Sequence, residues 1–294
     1  MADLPALRSR YETELFDRVL PFWARHSPDR THGGTFNNLA RDGQVFDTTK
    51  HMWLQGRQVC MFSKLVNDVE PRAEWLDLAR SGIEFMREHA VRPDGRVYFA
   101  LSQTGAPVAL QRKIFSECFY VMALAEYARA TDDPSLAHEA SEGLERLFVW
   151  AEDPAHVGRP ALAGEEPAQQ LAVPMILLNL IDEVAGDDWA RFAPDVDRLI
   201  RRMLLHVDES GLVRETVAPD GAVLDSPAGR LLNPGHALEA GWFLMRWAQR
   251  LGRADLEATA VRMIRTMHAH GWDPEHGGLF YFLDADGHSP MSGR

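Results

Sequence analysis

A histidine and a glutamate on one helical turn are the first candidates for chemistry. They are His236 and Glu239 in Asn233-Pro234-Gly235-His236-Ala237-Leu238-Glu239-Ala240-Gly241-Trp242. Asparagine followed by proline is the signature of a capped helix start, which puts His236 in the first turn. Glu239, three residues on, shares its face. Histidine has the unperturbed pKa nearest neutrality, so it suits proton transfer. The helix N-terminus acts to lower that pKa, and a charged Glu239 acts to raise it. Spacing alone is equally compatible with a histidine that packs or caps.

A second group is Lys50, Trp53 and Arg57, spaced as one stripe of a helix within Asp47-Thr48-Thr49-Lys50-His51-Met52-Trp53-Leu54-Gln55-Gly56-Arg57-Gln58. An indole beside cationic donors suits a sugar, whose apolar ring face stacks while its hydroxyls bond at the edges. Arg57 stays charged at any working pH and can stabilise an enolate oxygen. An interhelical ion pair around a core tryptophan fits the spacing as well. Glu117 is a lone carboxylate in the apolar stretch Ile114-Phe115-Ser116-Glu117-Cys118-Phe119-Tyr120. Early in a helix it favours the dipole, and it can pair with Arg57 or accept a hydroxyl. Lys50, Trp53, Glu117 and the capping Asn233 form the substrate-binding set; His236, Glu239 and Arg57 form the catalytic set.

His32 and His276 belong to turns, and His268 and His270 end a helix where a cation suits the dipole. Cys60 and Cys118 lack metal-ligand spacing and read as buried thiols. HExxH, P-loop, dinucleotide-binding and GxSxG motifs are absent, so no metal site is expected.

Helices must position these groups. Amphipathic helices are predicted near 5–25, 48–69, 72–90, 114–131, 134–151, 168–185, 187–207, 234–251 and 254–270. Between alternate helices lie hairpin-like segments at 32–46, 94–105, 211–221 and 277–287, each with an Asp-Gly or Thr-Gly turn. The first and last are alike: HGGTFNNLARDG and HGGLFYFLDADG. The repeat is helix, hairpin, helix, with a period of roughly 60 residues, and its hairpins fall on one binding rim.

The chain has 294 residues, 46% of them hydrophobic and 25% charged, as a globular protein requires. A net charge of −12 argues against nucleic acid and anionic membranes as partners. No signal peptide or membrane span is apparent, so a cytoplasmic location is expected. The last hairpin lacks a following helix to cover it, so the chain is expected to be one incomplete domain, 1–294, truncated at its C-terminus.

The ordered set HGG, Trp53-Leu54-Gln55-Gly56-Arg57-Gln58, Phe115-Ser116-Glu117-Cys118-Phe119-Tyr120, Ala172-Val173-Pro174-Met175, Leu177-Leu178-Asn179-Leu180, Asn233-Pro234-Gly235-His236 and Gly271-Trp272-Asp273-Pro274 resembles the N-acylglucosamine 2-epimerase family over nearly the whole chain. The resemblance implies an all-α (α/α)6 barrel, a toroid of paired helices, usually a homodimer. It implies interconversion of N-acetylglucosamine and N-acetylmannosamine, with ATP or another nucleotide as an allosteric activator and no cofactor consumed. His236 matches one of two acid/base histidines. The other is expected beyond residue 294, so this chain alone is expected to be inactive. Arg57 and Glu239 match further site positions. Related cellobiose and mannose epimerases carry a histidine in the sixth helix. Here Val173-Pro174-Met175-Ile176-Leu177 has none, which favours the amino-sugar branch.

On this reading His236, oriented by Glu239, moves the proton at carbon 2, and Arg57 holds the carbonyl side. Alternatives are a non-catalytic carbohydrate-binding or protein-interaction module, an epimerase or isomerase of another aldose, and a lyase or unsaturated-sugar hydrolase on a similar barrel.

Overall fold

Capping chemistry sets the helix boundaries. Asp133 accepts from the backbone N–H groups of Ser135 (2.9 Å) and Leu136 (3.2 Å), with Pro134 in the first turn. Gly252 ends its helix at φ 63°, the left-handed conformation that glycine adopts without strain. The computed structural model describes residues 3–158, 163–164 and 166–288. Their helices are α1 (Leu4–Glu14), α2 (Leu20–His26), α3 (Met52–Asp68), α4 (Ala73–His89), α5 (Phe115–Thr131), α6 (Pro134–Glu152), α7 (Ala172–Ala185), α8 (Ala193–Leu204), the short α9 (Pro227–Arg230), α10 (Pro234–Leu251) and α11 (Ala254–Gly271). Among the described residues no helix is long and apolar enough to cross a membrane.

The chain forms two compact units, 1–160 and 161–294. In the first, α3 packs on both α4 and α5, and α5 packs on α6. In the second, α7 packs on α8 and α10, and α10 packs on α11. Each unit is thus built from helix pairs. Residues Ser116–Ala128 of α5 and Pro174–Glu183 of α7 are buried without interruption. These two helices are not amphipathic, contrary to the sequence reading. They are covered on every side, which explains their apolar composition.

Four other boundaries differ from expectation, one of them that of α8, which begins at Ala193 because Gly186–Phe192 form a 3-10 helix instead. The helix expected at 5–25 is interrupted by a wide π turn over Leu15–Val19, where the Leu20 N–H reaches the Leu15 carbonyl. Pro21 follows at once and offers no N–H to a regular α ladder. α3 begins at Met52 because Lys50–His51 form strand β3 instead. α7 begins at Ala172 because Gln169–Gln170 are taken by a strand, β6.

The rim segments repeat one backbone pattern four times. On leaving α2, α4, α8 or α11 the chain closes a small turn. Its bonds are Asp29 N–H to Gly34 O (3.0 Å), Arg92 to Arg96 (2.8 Å), Asp208 to Leu212 (3.0 Å) and Asp273 to Gly278 (2.9 Å). A second bond returns to the helix end: Phe36 N–H to Ser27 O, Tyr98 to Ala90, Arg214 to His206 and Phe280 to Gly271. Only the first two segments go on to pair with themselves, β1 (Asn38–Leu39) with β2 (Val45–Asp47) and β4 (Ala100–Leu101) with β5 (Pro107–Ala109). β3 also joins β4. In the other two, β7 (Thr216–Val217) pairs with β6, and β9 (Leu283–Asp284) with β8 (Leu231–Leu232). The expected independent hairpins are therefore short antiparallel ladders that also stitch separate loops together.

Close helix approach depends on glycine. A Cβ at Gly56 of α3 would overlap the Phe119 carbonyl of α5, a backbone atom that cannot rotate away. Gly56→Ala should therefore destabilise the protein by about 1–3 kcal/mol or more, read as a lower urea midpoint with an unchanged m-value.

Candidate active site

Three ionisable pairs join a rim loop to the start of a long helix further along the chain. Lys50, just before α3, donates to Asp29 Oδ2 at 2.9 Å. Glu117, in the first turn of α5, accepts from Arg96 Nε at 2.6 Å. His236, in the first turn of α10, lies with Nδ1 3.1 and 3.2 Å from the two carboxylate oxygens of Glu215. Burial separates their roles. The side chains of Lys50 and Asp29 are 0% and 2% exposed, those of Arg96 and Glu117 7% and 3%, those of His236 and Glu215 40% and 14%. Only the third pair presents a ring to solvent.

Lys50 is enclosed in the frame. Its ammonium also donates to the carbonyls of Gly33 (2.6 Å) and Gln103 (2.9 Å), so its three donors are all engaged, and it sits 4.2 Å from the Phe85 ring centre. Burial works against ionised Asp29, but hydrogen bonds from Lys50, His32, Gln103 and Thr31 outweigh it and hold the carboxyl below its usual range. Glu117 is likewise an internal strut. Its Oε1 also accepts from Val97 N–H at 2.9 Å, while Arg96 donates to the carbonyls of Gln111 (2.7 Å) and Lys113 (3.2 Å). Burial raises the Glu117 pKa against the bonds from Val97 and Arg96. Its cationic partner is Arg96 rather than Arg57, and both this pair and that of Lys50 are buried in the frame. Asn233 is the α10 cap, its carbonyl oxygen accepting His236 N–H at 3.2 Å, and it is buried. It sets the helix start.

Trp53 and Arg57 lie one turn apart on α3. Trp53 is half-buried and tilted 6.2 Å from Phe119, centre to centre. The exposed Arg57 guanidinium lies 4.8 Å from the Phe119 ring centre and 5.7 Å from that of Trp53. Two aromatic faces thus hold a permanent cation beside an indole.

The carboxylate that meets His236 Nδ1 is Glu215, which sequence reading missed. Glu239 lies one turn further along α10, half-buried. A signal was present: Val213, Glu215 and Val217 alternate, and both valines are buried. A carboxylate that alternates with apolar residues in the sequence calls for a partner. Among the described residues, Asp284, Asp286 and His288 come close enough together to share a cation. Arg230 already faces the first two at 3.2 and 3.7 Å, so the group is ion-paired. Cys60 and Cys118 are free and buried.

A family model for N-acylglucosamine 2-epimerase (GlcNAc 2-epimerase) matches residues 34–294. An N-acylglucosamine 2-epimerase from Bos taurus is 46% identical over 98% of this chain and 70% of its own length. One from Homo sapiens is 44% identical over 98% of this chain and 69% of its own length. Among solved structures, a cellobiose 2-epimerase from Bacillus thermoamylovorans superposes with a TM-score of 0.79 at 17% identity, covering 96% of this chain and 76% of that one. The fold is accordingly that of the helical (α/α)6-barrel sugar epimerases, as the sequence led one to expect.

Replacing Lys50 with Met leaves the Asp29 carboxylate buried without its cation, and the expected loss of stability is about 3–5 kcal/mol at pH 7. Asp29 has a depressed native pKa, so its contribution is complete above the unfolded value of about 4 and is lost as pH falls through the native value. Denaturant titrations of both proteins should show the gap narrowing on acidification. A gap that is constant with pH would remove Asp29 from the effect.

Proposed function

Because the chain belongs to the N-acylglucosamine 2-epimerase family, we propose that it interconverts N-acetylglucosamine and N-acetylmannosamine by removing and returning the proton at carbon 2. In the open-chain sugar that carbon adjoins the aldehyde. Its C–H bond can ionise when the resulting enolate is stabilised. His236 removes or returns the proton on one face of the carbon, and the opposite transfer, which inversion requires, falls to a second acid/base group on the other face. Arg57 neutralises the charge that develops on the carbonyl oxygen. Trp53 offers the apolar face on which the sugar lies. Glu239, one turn beyond His236, is assigned to hydroxyl binding or to fixing the imidazole.

The observation that carries this reading is His236 itself. It is the member of the three loop-to-helix pairs whose ring stands open to a ligand, and it occupies the Asn-Pro-Gly-His helix start through which the chain resembles the family. Lys50, Asn233 and Glu117 are buried, and the proposal gives them a supporting place behind the site. A homodimer and a cytoplasmic location remain part of the proposal, as does nucleotide activation.

The test is proton exchange. With N-acetylmannosamine in deuterium oxide, exchange at carbon 2 needs only the acid/base on one face, so the protein should wash deuterium into that position even where inversion is slow, as followed by NMR. His236→Ala should lower that rate by about 10²–10⁴-fold, the usual worth of a positioned acid/base. Arg57→Met should lower it by about 10²–10³-fold through lost enolate stabilisation. Sugar binding without any deuterium uptake by the unaltered protein would favour a carbohydrate-binding module instead.

A further inference from the structure

We propose that Glu215 is the positioning residue for His236: its carboxylate holds the proton on Nδ1, fixes the imidazole plane and makes Nε2 the nitrogen that faces carbon 2. This deepens the reading above and rests on His236 as the acid/base.

Both partners are anchored before they meet. The Glu215 N–H donates to the Leu231 carbonyl at 3.2 Å, and its own carbonyl accepts from Leu171 N–H at 3.0 Å. One residue earlier, Arg214 is gripped twice by His206. Arg214 N–H donates to the His206 carbonyl at 3.0 Å, and His206 Nδ1 donates to the Arg214 carbonyl at 2.9 Å. One residue later, Thr216 and Val217 are paired with Gln170 and Gln169. Glu215 thus stands on backbone held from both sides. His206 is buried, and burial lowers its pKa against the Arg214 bond and the Glu215 charge, which keeps it a neutral strut. On the facing side, Asn233 fixes the first turn of α10 through the His236 N–H.

The chemistry follows from donor and acceptor types. An ionised carboxylate offers only lone pairs, so the hydrogen between Glu215 and the ring belongs to Nδ1. In the neutral imidazole Nε2 then carries the lone pair. When Nε2 takes the proton from carbon 2, the electrons of the broken C–H bond pass into the enolate. The ring becomes imidazolium beside a carboxylate already in place to stabilise it. Glu215 is not protonated at any stage, and the Nδ1 hydrogen stays where it is. Reprotonation of carbon 2 from Nε2 restores the starting tautomer. The same logic governs a buried carboxylate behind a catalytic histidine in hydrolases, where neutral replacement of the acid costs about 10⁴ in kcat through the wrong tautomer.

The unaltered protein and Glu215→Gln, both labelled with ¹⁵N-histidine, provide the test. In the unaltered protein the His236 signals, identified by their loss in His236→Ala, should report the Nδ1–H tautomer at neutral pH. In Glu215→Gln, whose amide can also donate to Nδ1, they should move toward the Nε2–H form. The kcat for carbon 2 exchange should fall about 10²–10⁴-fold with KM within about threefold, because orientation and charge are lost but the sugar contacts stay. Glu215→Gln with kcat within about threefold of the unaltered protein would overturn the proposal, as would an Nε2–H tautomer in the unaltered protein. That spectrum requires no variant to fold. If His236→Ala retains full exchange, the acid/base assignment fails on its own, while the tautomer still reads whether Glu215 controls the ring.

Discussion

A clasp between a rim loop and the start of a later helix is the interaction on which the rest depends. It occurs as Asp29 with Lys50, Arg96 with Glu117, and Glu215 with His236. The rim has little sheet, so its backbone carbonyls lack the ladder partners that long strands would supply. Buried side chains provide the donors instead. Lys50 serves Gly33 and Gln103, Arg96 serves Gln111 and Lys113, and His206 serves Arg214. A buried carbonyl left without a donor is costly, so these side chains fix each loop in one conformation.

The same device gives two outcomes according to burial. Where both partners are inside, the pair serves the neighbouring peptide groups as well and holds the frame together. Where the helix-side partner is half exposed, the clasp becomes a way to orient a titratable ring. Fold and site therefore differ in solvent access more than in chemistry.

Helix packing supports this. α5 and α7 are enclosed on all sides, and α3 approaches α5 closely enough that only glycine fits at position 56. That contact ties the stretch bearing Trp53 and Arg57 to α5, whose Phe119 lies under the guanidinium. A cation held over aromatic rings keeps its charge and loses little freedom when it meets a developing oxyanion.

By itself the sequence determined the helix pairs, their caps, the fourfold rim motif and the position of His236 at a helix start. These follow from local rules: apolar spacing, Asp-Pro and Asn-Pro caps, and glycine turns act within a few residues. Tertiary structure decided which charged residues serve the frame and which stand open. The clasp partners are each 21 residues apart, beyond any helical or strand period, so residue type could not tell that Lys50 meets Asp29, that Glu117 meets Arg96, or that Glu215 meets His236. Whether a cation is enclosed or exposed depends on the chain folded around it. Only that folding turned Lys50 and Glu117 into struts and left the imidazole to a ligand.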